Sequence, residues 1–273
     1  MLSKRIIGSL IVKDSIVVQS IGFSRYLPVG SPEVAVEFLN SWGVDEIVVL
    51  DITASQKGEP DYALVERLAG KVRVPLAVGG GIRSLEAMRR LIAGGADKLV
   101  INTAARETPE LIREGAAVFG EQCIVVSIDV HEGEAQEAVR RALSAQDMGA
   151  GEILLRTIER DGSKRGFDTA AIEAVAQGVR VPVIAAGGCG SAAHAADAVT
   201  RGADAVAIGN MLHFSEHSVV TVKQQLKQAG LLVRLDTYAT YEGFAFDEAG
   251  RVQKRDDGYL SKLRFEYHPP EII

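Results

Sequence analysis

Two carboxylates and two glycine-rich segments define the chemistry open to this chain. Asp129 closes the apolar run IVVSID, and Asp161 sits in the loop ERDG that follows the run EILLRT. A carboxylate at the edge of apolar surface can be tuned to give or take a proton. Asp51, which ends EIVVLD, is a third carboxylate of this kind; for Asp129 and Asp161 the alternative is a strand-end aspartate that caps the following helix. Gly79, Gly80 and Gly81 end one run, and Asn102 and Thr103 end the next. Glycines let the backbone approach an oxyanion, and exposed N–H groups beside a hydroxyl or amide can cradle a phosphate. A second such set is Gly187, Gly188, Gly209 and Asn210. Two cradles point to an elongated ligand with a phosphate at each end; tight turns are the alternative reading of the glycines.

The elements that must carry these residues repeat. VPLAVGGGIRS from Val74 returns as VPVIAAGGCGS from Val181, and GGADKLVINTAA from Gly94 returns as RGADAVAIGNML from Arg201. Short Val/Ile/Leu runs near 5–11, 46–51, 74–78, 98–101, 123–128, 152–157, 181–185 and 205–208 suit parallel strands buried on both faces. Helical periodicity lies between them, at about 33–42, 84–94, 109–119, 134–148, 169–178, 191–201 and 217–229. This alternation predicts a (β/α)8 barrel made of two duplicated halves over residues 1–234, followed by a C-terminal extension, 235–273. In such barrels the C-terminal strand ends carry the chemistry, which is where both aspartates and both glycine sets fall.

Composition narrows the function. A net charge of −6 is the wrong sign for a nucleic-acid surface, and no apolar run is long enough for a membrane helix. The N-terminus lacks a signal-peptide pattern, so a cytoplasmic protein is predicted. Cys123 and Cys189 lie in separate strand regions without metal-ligand spacing and are expected to be buried free thiols. Nothing in the chain calls for a metal or cofactor.

The segments MLSKRII, DEIVVLDITAS, VGGGIRS, GADKLVINTAA, GAGEILL, ERDGSKRGFD, AAGGCGS and GADAVAIGNMLHF together resemble the cyclase subunit of imidazole glycerol phosphate synthase. The resemblance implies a phosphorylated substrate and a glutaminase partner that sends ammonia through the barrel. It assigns Gly81, Asn102 and Thr103 to one phosphate site and Gly188, Gly209 and Asn210 to the other, with Asn210 in place of a usual serine. Asp129 and Asp161 fall on functional carboxylates. Arg5, Glu46, Lys98 and Glu152 match an ammonia gate at the N-terminal end, and Asp97 matches a position that touches the glutaminase. Four alternating charges at a barrel bottom must be mutually paired to be tolerated, and a paired ring can also serve as a plain structural plug.

Departures from the family lie at the other end. Strand one of the family ends in an aspartate opposite the strand-five aspartate; here that position is Ile11, and the internal repeat aligns Ile11 with Asp129. Ser9, Gln19, Arg156 and Ala186 also replace the usual cysteine, lysine, threonine and serine, and a β-hairpin insertion after Asp129 is missing. Arg156 suits an altered anionic substrate or an ion pair with Glu159. These changes resemble a paralogous branch of surface-polysaccharide clusters, which works with a glutaminase and an N-sugar amidotransferase to make acetamidino sugars. A cyclase that has moved its acid/base function, and a non-catalytic ammonia conduit, are the alternatives. The extension carries four of the six tyrosines, Tyr238, Tyr241, Tyr259 and Tyr267, and its FAFDEAGRVQK segment reads as a β-hairpin, suited to binding a partner or packing on the barrel wall.

Overall fold

A computed structural model describes residues 3–213, 217–235, 237, 239–247 and 250–262. The chain starts in β1 (Arg5–Lys13), turns through a hairpin of β2 (Ile16–Ile21) and β3 (Arg25–Gly30), and continues through β4 (Glu46–Asp51), β5 (Leu76–Gly79), β6 (Lys98–Ile101), β7 (Ile124–Val130), β8 (Glu152–Thr157), β9 (Val183–Ala186) and β10 (Ala205–Ile208). From β1 to β4 and on to β10 each strand pairs in parallel with the next, and β10 pairs back onto β1. The eight-stranded barrel expected from the apolar runs is therefore closed. Ten helical segments lie among or after these strands: α1 (Pro32–Ser41), α2 (Ile52–Lys57), α3 (Tyr62–Ala69), α4 (Leu85–Ala93), α5 (Thr103–Glu107), α6 (Glu110–Phe119), α7 (Ala135–Asp147), α8 (Thr169–Gly178), α9 (Ala192–Thr200) and α10 (Ser218–Gln228). None of the described helices is long and apolar enough to cross a membrane.

Strand alternation divides the core in two. Ile7, Val48, Ala77, Val100, Val125, Leu154, Ile184 and Ala205 fill the barrel interior. Their outward neighbours, among them Ile6, Ile47, Leu76, Leu99, Ile124 and Ile153, pack against the helices. This two-sided burial is why the strands read as nearly continuous apolar runs.

The duplication extends to individual bonds. Ser84 and Ser191 cap α4 and α9 with nearly the same extended backbone, and Asp61 and Asp168 cap α3 and α8. Asp97 accepts the backbone N–H of Leu76 at 2.8 Å, and Asp204 accepts that of Val183 at 3.1 Å. The two seams between halves share one register: Val206 faces Ile6 as Leu99 faces Ile124, and Ala207 faces Ile7 as Val100 faces Val125.

The chain after α10 closes on the barrel's N-terminal end, where the backbone N–H of Lys4 donates to Leu232 and Arg234 pairs with Asp45 at 3.2 Å. The extension packs on α10, whose Gln225 and Gln228 donate to the carbonyls of Gly250 and Phe244. The expected hairpin is reduced to one antiparallel bridge, Phe246 to Val252, and its Ala249 tip lies outside the described residues. Tyr238 and Tyr267 also lie outside them, whereas Tyr241 stacks edge-on against Phe244 and Tyr259 lies near Arg255. The only other α-helix of the described residues, α11 (Asp257–Leu260), belongs to this extension.

Candidate active site

Barrel strands deliver the expected residues to one mouth. Gly79, Gly80, Gly81, Asn102, Thr103, Asp129 and Arg156 line a cavity of about 220 Å³ at the C-terminal strand ends. Gly80 and Gly81 have φ of +127° and +71°, and a Cβ on Gly80 would lie 2.3 Å from the Asp51 carbonyl oxygen. Glycine is thus required for the turn itself, before any ligand is considered. Asn102 precedes α5 without a side-chain capping bond, which leaves the first N–H groups of that short helix without a side-chain acceptor beside the cavity. The Asn102 amide instead donates to Asp129 Oδ2 at 2.6 Å. Asp129 Oδ1 is buried without a hydrogen-bond partner, 3.8 Å from the Arg156 guanidinium.

The second glycine set is differently covered. Ser9, Ile11, Asp161, Gly187, Gly188, Gly209 and Asn210 surround only about 40 Å³, because the β2–β3 hairpin is latched over them. Asn210 Nδ2 donates to the Ser20 carbonyl at 2.7 Å. Ser20 Oγ donates to Asp161 Oδ2 at 2.6 Å, and the Phe23 N–H reaches the same oxygen at 3.3 Å. Burial raises the Asp161 carboxyl above its ordinary range, against the Ser20 hydrogen bond and the pull of Arg156. Ile11 stands on β1 at 7% exposure, beside Leu50 of β4 in register, while Asp129 on β7 has Arg156 of β8 beside it. Each half thus presents one apolar pair or one charged pair at the same level.

At the opposite end Arg5, Glu46, Lys98 and Glu152 close a ring. Arg5 reaches Glu46 and Glu152 at 2.8 Å each, and Lys98 reaches them at 2.7 and 3.1 Å. Burial raises the Glu46 carboxyl, opposed chiefly by Lys98. Burial also works against the Arg5 charge, but Glu152 and Glu46 outweigh it and leave the guanidinium above its usual value. The apolar interior separates this ring from the mouth.

Other sequence expectations need correction. Arg156 does not pair with Glu159; it points inward over the Phe23 ring, 4.8 Å from the centroid, while Glu159 holds His131 Nδ1 at 2.6 Å on the rim. Asp51 caps α2 by accepting the Ala54 N–H at 2.9 Å. Cys189 is buried, its thiol pushed up to about 12 by burial, but Cys123 is only half-buried, in a short turn before β7. Asp97 is exposed and holds the start of β5. Sequence reasoning missed the Ser20–Asp161 latch and the Phe23 stack altogether, since neither leaves a periodic signal.

A parallel barrel of two like halves, polar at both ends and apolar between, with glycine-bounded cavities at its mouth, places the chain among the (β/α)8 barrel proteins. Residues 5–218 match the histidine biosynthesis protein family, and the chain belongs to it. Among curated relatives, the imidazole glycerol phosphate synthase subunit HisF of Bacillus licheniformis is 44% identical over 252 residues, covering 86% of this chain and all of that one. The HisF subunit of Methanococcus vannielii is 37% identical over 272 residues, with 86% and 100% covered. A Vibrio vulnificus protein named "Putative imidazole glycerol phosphate synthase subunit hisF2" is 40% identical over 267 residues, covering 92% of this chain and 98% of its own.

Proposed function

We propose that the chain is the ammonia-receiving synthase subunit of a glutamine amidotransferase complex, and that its mouth has exchanged cyclisation for amidination of a sugar used in surface polysaccharide. The observation that carries this reading is the contrast between the two ends: a complete four-charge ring at the bottom, and Ile11 where Asp129 would need its partner. A glutaminase docks at the N-terminal face, around the ring and Asp97. Ammonia passes the ring neutral, because an unpaired ammonium in the apolar interior would cost several kcal/mol or more. Ile7, Val48, Ala77, Val100, Val125 and Leu154 then form its path.

At the mouth, the Gly81–Asn102–Thr103 cradle anchors a phosphate and Asp129 accepts the proton shed as ammonia adds to the substrate. Asp161, held neutral more readily by its burial, protonates the oxygen that ammonia displaces, which leaves as water as the carbon–nitrogen bond forms. Isoleucine can do neither, and loss of a general acid or base costs about 10²–10⁴-fold in the step that needs it. A cyclisation that needs facing carboxylates is therefore slow here, whereas a single addition is not. The identity to HisF subunits is the observation behind a second reading, a working histidine-pathway cyclase in which Asp129 and Asp161 suffice.

Turnover of the histidine-pathway ribulosyl ribotide with excess ammonium salt at alkaline pH separates the two. No imidazole glycerol phosphate is expected from the native chain, and a measurable rate is expected from Ile11→Asp. Product from the native chain at a rate equal to that of Ile11→Asp would establish the second reading instead.

A further inference from the structure

We infer that Arg156 is the specificity-determining residue of the mouth, binding a second oxyanion of the substrate between the two glycine cradles. The inference rests on reading the mouth as the site of a phosphorylated substrate, and it adds the charge pattern that substrate must carry.

Arg156 is 5% exposed, and among the described residues its guanidinium finds no protein acceptor within hydrogen-bond reach. A guanidinium carries five donors, and this one presents them to the mouth cavities that the side chain lines. Its nearest acid, Asp129, approaches Nη1 alone and at 3.8 Å, beyond hydrogen-bond reach, so Nη2 and Nε remain uncommitted. The Phe23 ring lies against the guanidinium, 4.8 Å from its carbon to the ring centroid, and the side chain borders both mouth cavities. A planar fork with free donors, backed by a ring and opening onto a cavity, matches the two oxygens of a carboxylate or phosphate.

The shape of the mouth sets where that oxyanion belongs on the ligand. Only the cavity at Gly81 and Thr103 has room for a phosphate, since the other cradle is reduced to about 40 Å³ by the hairpin and its Asn210 is spent on Ser20. A ligand anchored by its phosphate at Thr103 meets Arg156 within the same cavity of about 220 Å³. The substrate class is therefore a compact phosphorylated molecule with a second oxyanion close to the reacting centre, and not one with phosphates at opposite ends.

Calorimetric titration of the intact protein with inorganic phosphate, and separately with malonate as a carboxylate probe, tests this. The native chain should bind two phosphates, and Arg156→Met and Thr103→Glu one each. Arg156→Met should also weaken malonate at least tenfold, and Arg156→Lys, which keeps the charge and the fold but loses the fork, should weaken it several-fold. The stronger of the two probes at Arg156 identifies the second group as carboxylate or phosphate. Unchanged binding in both Arg156 variants, with one site still lost in Thr103→Glu, would overturn the role of Arg156 while leaving the mouth as a phosphate site. No site lost in any variant would overturn both.

Discussion

Replacing Lys98 by methionine should unmask the balance of charge at the barrel bottom. Lys98 bridges Glu46 and Glu152 at 2.7 and 3.1 Å, and the three side chains are 15%, 2% and 11% exposed. With Lys98 gone, two buried carboxylates share Arg5 alone. Removing one partner of a buried pair costs about 3–5 kcal/mol, so the variant should lose that much stability at pH 7.5. The loss should depend on pH in a definite direction. Burial already raises the Glu46 carboxyl above 4.5, and Lys98 is the chief influence holding it down. In the variant it rises further, so the native state binds more protons than the unfolded chain between 4.5 and the new folded value. Stability is then complete below the unfolded value and is lost as pH rises through the folded one. Acidifying from pH 7.5 to about 5.5 should therefore return part of the lost stability relative to the native sequence. Urea unfolding of both proteins at the two pH values measures this. A deficit under about 1 kcal/mol at pH 7.5, or one that does not shrink on acidification, would refute the mutual-pairing argument.

Gly188→Ala should cost more than about 2 kcal/mol in urea unfolding, because its φ is +100° and a Cβ would lie 2.2 Å from the Gly166 carbonyl oxygen; a near-neutral change would mean that the turn can relax. Thiol labelling at pH 8 should modify Cys123 first and Cys189 only after unfolding, as its thiol is pushed up to about 12; equal rates in the folded protein would contradict its burial. The His131–Glu159 pair on the rim should be seen by NMR as a histidine titrating above 6.5, since Glu159 hydrogen-bonds and attracts its charged form. That contact favours the fold below 6.5 and fades as pH rises through the histidine's folded value; Glu159→Gln should return the titration to the ordinary range, and no movement would exclude the contact.

Legibility followed the physics of burial. The strands at 46–51, 98–101, 152–157 and 205–208 were readable to the residue, because both faces are apolar, and α8 matches its expected span of 169–178. The hairpin was not. Its β3 strand, RYLPVG, is half-exposed and carries a proline, and its turn at Gly22 and Phe23 lacks an Asn-Gly or Asp-Gly signal. The helix α3 hid in the long segment between two strands although Asp61 caps it, and α2 and α5 are too short to show a period. In the site, the glycine sets, Asp129 and Asp161 could be placed because strand ends are marked by the change from apolar to polar residues. Arg156 could be found but not oriented: whether it turns out to Glu159 or in over Phe23 is decided by a hairpin that is distant in sequence.

The shared register of the two seams has a consequence for heredity. A segment beginning at β7 can replace one beginning at β1, and the parallel barrel strand it meets at the seam finds the partner spacing it already had, although the β2–β3 hairpin belongs to the first half alone. Recombination between the halves is thus nearly silent for assembly while it shuffles what stands at the rim, such as an isoleucine for an aspartate. The barrel behaves as a two-copy script whose grammar is duplicated and whose vocabulary is free, and new substrates can be tried in one copy while the other keeps the molecule whole.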